Sequence, residues 1–325
     1  MALILLETDV AALLAMERAI GLMEDALRAY SSGEVEQPVR LALEAAPHRG
    51  LLALMPAYVT TREALGAKAV TFYPGNADRN LPTHMAVVLL WDSATGELLA
   101  IMDGRLITEV RTAAVSAAAT KALARPEARV LALLGAGVQA RSHLEALRVV
   151  RPIKEVRVWS RTPERMEEFA RAAASIGVEV RAVPSAAEAV HGADIICTVT
   201  SATEPVLRGE WISAGAHINA VGAPRPTWRE LDTAAVSRAR VFVDSRAGAL
   251  AESGDLLLPM REGAIEETHI VGEIGEVFAG AISGRTGPKD VTLFKSLGMA
   301  VEDVVTAHDL YLRAREKGVG RDIEL

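Results

Sequence analysis

Three groups of residues in this 325-residue chain have the types and spacing for chemistry. The first is the run Gly135-Ala136-Gly137-Val138-Gln139-Ala140, preceded by the apolar stretch Val130–Leu134 and followed by a helical pattern at Leu144, Leu147 and Val150. Strand, glycine turn and helix in that order form a dinucleotide fingerprint. Gly135 permits the tight turn, Gly137 lets the backbone approach a pyrophosphate, and the small Ala140 lets helix and strand pack closely. The pyrophosphate would sit on the N-terminus of the helix that follows. The second group is Ser160-Arg161-Thr162 with Arg165, at the end of the next strand-like run. In such a fold a carboxylate here selects the free ribose 2′-hydroxyl, whereas basic and hydroxyl groups accommodate a 2′-phosphate. Two charge-assisted hydrogen bonds of about 1.5–3 kcal/mol each would favour the phosphorylated cofactor by roughly 10²–10⁴-fold. The expected cofactor is NADPH, with NADH the weaker alternative; the competing reading is an ordinary helix start, with Thr162 as cap and Arg161 solvated. The third group is a set of cations in apolar settings: Arg40 in the run 39–43, Lys68 between Ala67 and Ala69, and Arg111 among Val110, Ala113, Ala114 and Val115. Cleft cations beside a hydride donor suit an anionic substrate, and arginine can grip a carboxylate with two hydrogen bonds. Taken singly, each would also serve as a surface cation with a snorkelling stem.

The elements that must position these groups follow from hydrophobic periodicity. Thr8 or Asp9 is expected to cap one helix with apolar positions from Val10 to Tyr30, stopped by Ser31-Ser32-Gly33. Strand-like runs follow at 39–43, 51–55, 67–72, 85–91 and 98–102, separated by turn residues at 47–50 and 92–96. An alanine-rich helix over about 108–123 leads out of this α+β unit. From Val130 the pattern alternates, with strands expected at 130–134, 156–159, 178–182, 195–198, 217–221 and 241–244 interleaved with helices. That order predicts a doubly wound parallel sheet of Rossmann type. An amphipathic helix over 299–315 is expected to return to the first domain. The expected organisation is therefore a discontinuous α+β substrate-binding and dimerisation domain, 1–112 with 300–325, around a dinucleotide-binding domain, 113–299.

Composition narrows the function class. Half the residues are hydrophobic but only 4% are aromatic, which describes a globular chain with an aliphatic core. A net charge of −7 with no basic run argues against a nucleic-acid partner. Cys197 is the sole cysteine, so no intrachain disulfide is possible; its apolar neighbours mark it as a buried strand residue. The apolar start lacks a basic flank, and no apolar stretch reaches membrane-spanning length, so a cytoplasmic protein is expected. The seven histidines are scattered without i, i+3 or i, i+4 pairs, so no metal site is expected.

Further motifs run the length of the chain. They are Leu54-Met55-Pro56-Ala57-Tyr58, Leu81-Pro82-Thr83-His84, Thr108-Glu109-Val110-Arg111, Asn219-Ala220-Val221-Gly222, Glu252-Ser253-Gly254-Asp255 and Phe294-Lys295-Ser296-Leu297-Gly298. Together with the glycine run, these make the chain resemble the ornithine cyclodeaminase/mu-crystallin family. The resemblance implies a homodimer built through the N-terminal domain, which also holds the substrate. It implies that Arg40, Lys68 and Arg111 bind the substrate carboxylate, Lys68 and Arg111 being the catalytic candidates, with Thr83 beside the substrate. It further implies that Gly137, Val138 and Gln139 cradle the pyrophosphate and that Thr198, Val199 and Thr200 line the nicotinamide ribose. Val221, Gly222, Ser296 and Leu297 would border the nicotinamide, with Thr83, His84 and Arg111 meeting the cofactor from the first domain.

One departure from the family pattern bears on the reaction. In the cyclodeaminases the segment matching residues 219–224 carries an aspartate proposed as the acid/base, and here that place is Pro224; a family glutamate is likewise Ala53. Cyclodeamination needs proton traffic between two hydride transfers, whereas reducing a protonated imine needs chiefly orientation. The expected activity is NADPH-dependent reduction of cyclic imino acids, Δ1-pyrroline-2-carboxylate or Δ1-piperideine-2-carboxylate, to proline or pipecolate. The alternatives are reductive amination of a 2-oxo acid, cyclodeamination of ornithine, and a non-catalytic NADPH-dependent binding protein. Against the last stands the expectation that a vestigial site would not keep buried cations unpaired.

Overall fold

The computed structural model describes residues 1–79, 81–173 and 177–324. It divides into two compact units: Met1–Thr112 with Gly298–Leu325, and Ala113–Leu297.

The first unit is a mixed sheet covered on one face by helices. Its strands are β1 (Ala2–Leu5), β2 (Val35–Glu36), β3 (Leu41–Ala45), β4 (Gly50–Val59), β5 (Ala64–Phe72), β6 (His84–Asp92), β7 (Leu98–Asp103) and, from the chain end, β16 (Arg321–Ile323). Among the described residues they lie in the order β16-β1-β7-β6-β5-β4-β2, with β3 beside β2 on the same edge of β4. Strand alternation sends Ala53, Met55, Ala57 and Val59 of β4, and Val88 and Leu90 of β6, into the core. The helices Met16–Ser31 and Ala300–Lys317 close that core, the second packing on β4, β5 and β6. The opposite face is also apolar. Leu41 and Leu43 of β3 pair with Leu54 and Leu52 of β4, and the stripe continues through Ala69 of β5 to Val87 of β6. Leu41, Leu43, Leu54 and Met85 are 66%, 67%, 42% and 43% exposed.

The second unit is an α/β domain with a parallel sheet, as the alternating pattern predicts. Its strands are β8 (Val130–Leu134), β9 (Glu155–Trp159), β10 (Glu179–Ala182), β11 (Ile195–Thr198), β12 (His217–Ala220), β13 (Arg240–Val243), β14 (Ile270–Glu273) and β15 (Thr292–Lys295). Their order is β10-β9-β8-β11-β12-β15-β13-β14, and every pairing is parallel. The chain winds from β8 outward through β9 and β10, then resumes on the other side with β11 and β12. The switch point lies between β8 and β11, where ligands of open α/β sheets bind at the carboxyl ends of the strands.

The structure departs from the sequence expectations in four places. The first helix is two, Glu7–Leu13 and Met16–Ser31, with Leu14 and Ala15 extended between them. No glycine or proline breaks it; Leu13 and Leu14 are both buried, and tertiary burial outweighs helix continuity. Asp9 is not the cap but the third helical residue, its carboxylate accepting the Leu6 N–H at 2.9 Å. Arg40 lies before β3 rather than within a strand. Strands β1, β2, β14, β15 and β16 were not expected; β15, framed by Thr292 and Lys295, lies in the interior of its sheet.

Candidate active site

In the first unit the three expected cations are gathered by the start of the C-terminal helix. Lys68 points from the core face of β5 and is 1% exposed; its Nζ lies 2.6 Å from Asp303 Oδ2 and donates to Thr108 Oγ1 at 3.4 Å. Arg111, in the helix Gly104–Leu123, donates Nε to Asp303 Oδ1 at 3.1 Å and Nη1 to Glu302 Oε2 at 2.6 Å. Arg40 donates Nη2 to the Gly298 carbonyl at 3.0 Å. Gly298 also faces Arg111, for a Cβ built there would stand 2.6 Å from Nη1. Two cations and two carboxylates thus share a buried cluster, with Arg40 at its border. The expectation of unpaired buried cations is corrected here: both carry counterions, because an isolated buried charge is too costly.

The charges set each other's protonation. Burial and the nearby Arg111 charge push the Lys68 ammonium down to about 8, against the pull of Asp303. Burial would lower Arg111 too, but Asp303 and Glu302 outweigh it and raise its pKa. Glu302 and Asp303 were missed by the sequence reading. The available signal was two adjacent carboxylates interrupting the apolar stripe Met299, Val301, Val304 and Val305, in the first turn of a helix whose dipole favours them. Thr83 and His84 lie at the start of β6. The Tyr73 N–H donates to the Thr83 carbonyl at 2.9 Å, and the His84 ring packs on Phe72 with centroids 4.6 Å apart. Desolvation and the Lys68 charge lower the His84 pKa, so its ring is neutral at neutral pH.

In the second unit the glycine run connects β8 to the helix Val138–Val150. Gly135 has φ 120°, and a Cβ there would stand 2.8 Å from the Val199 carbonyl oxygen, so the turn needs glycine. Its N–H donates to the Trp159 carbonyl at 2.8 Å, which ties the glycine turn to the end of β9. Gly137 caps the helix, and a Cβ there meets no atom within 4 Å. That open space beside a 13-residue helix N-terminus fits a dinucleotide pyrophosphate. Gln139 Oε1 and Ser296 Oγ are buried without hydrogen-bond partners among the described residues, again as a site awaiting a polar ligand would leave them. Val138 is exposed beside them.

Ser160, Arg161, Thr162 and Arg165 follow β9, and among the described residues neither arginine has an ion-pair partner. Thr198, Val199 and Thr200 leave the end of β11, while Val221 and Gly222 leave the end of β12. These loops meet at a residue that the sequence reading missed. Glu230 is fully buried, and its Oε1 accepts from the Thr200 N–H at 2.7 Å and hydroxyl at 2.6 Å. Its Oε2 accepts from Thr198 Oγ1 at 2.7 Å and the Gly222 N–H at 2.8 Å. Burial raises the Glu230 pKa, Asp255 adds to the rise, and Lys295 and the threonine donors oppose it. Cys197 is buried on β11 and its thiol is pushed up to about 12, so it is no nucleophile. Among the described residues no cluster of three or more His, Cys, Asp or Glu could hold a metal ion, and no helix is long and apolar enough to cross a membrane.

Comparison with known proteins follows the same lines. The sequence profile described as the ornithine cyclodeaminase/mu-crystallin family matches residues 1–318. The ketimine reductase mu-crystallin of Rattus norvegicus is 52% identical over 292 residues, covering 89% of this chain and 90% of the rat protein. The solved Δ1-pyrroline-2-carboxylate reductase of Thermococcus litoralis, in complex with NADH and L-proline, superposes with a TM-score of 0.97 at 41% identity, over 99% of this chain and 100% of that one. An archaeal alanine dehydrogenase dimer with bound NAD gives a TM-score of 0.94 at 35% identity, over 100% and 99% of the two chains.

The buried cluster generates a stability prediction. Asp303→Ala leaves Lys68 without its carboxylate and Arg111 with one of two, and should cost about 3–5 kcal/mol in urea unfolding. A loss below about 1 kcal/mol would mean that Glu302 alone balances both cations.

Proposed function

The chain belongs to the ornithine cyclodeaminase/mu-crystallin family, and from that premise we propose that it is an NAD(P)H-dependent reductase of cyclic imino acids. The substrates are Δ1-pyrroline-2-carboxylate and Δ1-piperideine-2-carboxylate, the products proline and pipecolate. The observation that carries this reading is the buried cluster of Lys68 and Arg111 in a chain whose other unit is built for a dinucleotide.

When bound, the nicotinamide supplies the hydride, and the protonated C=N carbon accepts it to give a C–H and a secondary amine. Arg40, Lys68 and Arg111 hold the substrate carboxylate. Asp303 and Glu302 occupy Nε and Nη1 of Arg111, which leaves Nη2 for the ligand. Lys68 also hydrogen-bonds near the reacting nitrogen. The cluster fixes these donors before substrate arrives, so little ordering remains to be done at the moment of reaction. Pro224 supports reduction over cyclodeamination, since it can neither take nor give a proton and follows Ala223 in a left-handed conformation at φ 57°.

Consumption of NADPH on adding either imino acid is the direct test. Lys68→Ala and Arg111→Ala should each cut turnover by roughly 10²-fold or more while NADPH still binds. Only the ammonium form of Lys68 attracts the carboxylate, so kcat/KM should fall as pH rises through about 8. Lys68→Arg stays charged and should lose that limb. Unchanged turnover in both alanine variants would sink the assignment. Activity on pyruvate with ammonia but not on imines would favour the alanine dehydrogenase reading, and binding without any turnover a ligand-binding protein.

NADPH is the preferred cofactor on this reading, through Arg161 and Arg165, with Ser160 and Thr162 as hydroxyl donors. Arg161→Ala with Arg165→Ala should lower the NADPH-to-NADH ratio of kcat/KM by roughly 10²–10⁴-fold. A ratio that does not move would leave these arginines merely solvated.

The partner on the exposed sheet face of the first unit is a second copy of this chain. A contiguous apolar face of this kind marks an interface, and the alanine dehydrogenase relative is a dimer. Leu43→Glu combined with Leu54→Glu should convert a species of twice the chain mass into a monomer in sedimentation. Persistence of the dimer would place the interface elsewhere.

A further inference from the structure

We propose that Glu230 is a positioning residue that aligns the nicotinamide half of the cofactor site by holding the loops after β11 and β12 in register. The inference rests on the dinucleotide reading above and adds to it a residue with a definite task.

Glu230 spans what the sheet leaves apart. Parallel strands β11 and β12 are paired as far as Thr198 and Ala220, and the Thr198 carbonyl still accepts from the Val221 and Gly222 N–H groups at 3.0 and 3.3 Å; Thr200, further along the first loop, is held by Glu230. Glu230 supplies the link, with one oxygen on the Thr200 N–H and the other on the Gly222 N–H. The approach to Gly222 depends on its missing side chain, since a Cβ there would lie 2.6 Å from Oε1. On the glycine-turn side, Gly135 packs against the carbonyl of Val199, between the two clamped threonines. Two strand ends that would form the floor of the site therefore share one carboxylate, and the third, at Gly135, rests on the loop that the carboxylate holds.

A second tier fixes Glu230 itself. Asp255 Oδ1 accepts the N–H groups of Glu230 and Leu231 at 2.7 and 3.0 Å. Its Oδ2 lies 2.9 Å from Lys295 Nζ, and Lys295 donates to the Gly222 carbonyl as well. Gly222 is thus gripped at its N–H by Glu230 and at its carbonyl by Lys295, just before Ala223 turns left-handed. A left-handed alanine is strained and persists only when its surroundings over-determine it. All three charged groups are fully buried.

The chemistry requires a carboxylate. Both oxygens accept from backbone N–H groups, whose positions the chain fixes, and both accept a hydroxyl proton besides. An amide of the same shape has one acceptor, so its NH₂ must confront either the Thr200 or the Gly222 N–H. A carboxylate in this place costs desolvation but leaves no donor of either loop unmatched.

The test is titration of the full-length protein with NADPH and separately with 2′,5′-ADP, the adenosine half alone, by quenching of tryptophan fluorescence. Glu230→Gln should weaken NADPH binding roughly 10- to 100-fold while 2′,5′-ADP binding stays within about twofold of wild type. In turnover, KM for NADPH should rise and kcat fall, with KM for the imino acid moving least. Should Glu230→Gln fail to fold, Thr198→Val removes one donor without changing shape and should weaken NADPH selectively by several-fold. Equal weakening of both ligands would make Glu230 a general scaffold residue and overturn the proposal, as would unchanged NADPH binding. A wild-type protein that binds neither NADPH nor NADH would overturn the dinucleotide reading itself.

Discussion

A cation can be buried in an aliphatic interior only beside a buried carboxylate, and the first unit is arranged around that requirement. Lys68 comes from a central strand and Arg111 from the helix that leaves the sheet. Neither has a counterion on its own element or on one next to it in the sequence. Both are balanced by Glu302 and Asp303, at the opposite end of the chain. The C-terminal helix must therefore begin at this point over β5, and the amphipathic face that follows covers the sheet as a consequence. The formal sum over these four side chains is zero, and Arg40 stands at the border with Nη2 on the Gly298 carbonyl. Such a group can attract an anion without the instability that bare buried cations would bring.

The second unit solves a different problem with similar materials. In the cluster at Glu230 one buried lysine, Lys295, faces two buried carboxylates, Glu230 and Asp255, so one negative charge is left over there. Backbone N–H groups and threonine hydroxyls meet that excess, and they belong to the loops that a parallel sheet leaves unsupported at its carboxyl end. Charge in the first unit is met by opposite charge, whereas much of the charge in the second is met by the backbone. Both clusters exclude water, which makes each hydrogen bond in them stronger than its surface counterpart.

Much of this was legible in the sequence wherever the information is local. β8 and β11 begin and end where short apolar runs do, and the glycine run announced its turn, with Gly135 at φ 120°. Lys68 stood out because a charge alternates with alanines on a strand. Elements held by partners far along the chain were not legible. β15 reads as an indifferent segment because a threonine and a lysine flank two apolar residues, yet it lies in the interior of its sheet. Glu230 lies between Arg229 and Leu231 in a run resembling an exposed turn, and only the convergence of Thr198, Thr200 and Gly222 reveals its burial. The break at Leu14 and Ala15 had no local signal either, because two neighbouring leucines both found the core. Pairing of the buried cations was hidden for the same reason: their counterions are 191 and 192 residues distant from Arg111.

That separation has a consequence for how the chain is made. At about 5–20 residues per second, Arg111 leaves the ribosome roughly 10–40 s before the carboxylates that neutralise it. Throughout that interval the second unit, continuous from Ala113 to Leu297, can be completed, while the first unit has its strands β1 to β7 and the helix Met16–Ser31 but neither its second covering helix nor the counterions. The nascent chain therefore carries a sheet that is apolar on both faces, with Lys68 on the inner one and Arg111 on the helix that leaves it. Closure of the earliest-synthesised unit must wait for residues 302 and 303, and truncation just before residue 302 would remove the ion pairs of Lys68 and Arg111 while sparing every strand from β1 to β15.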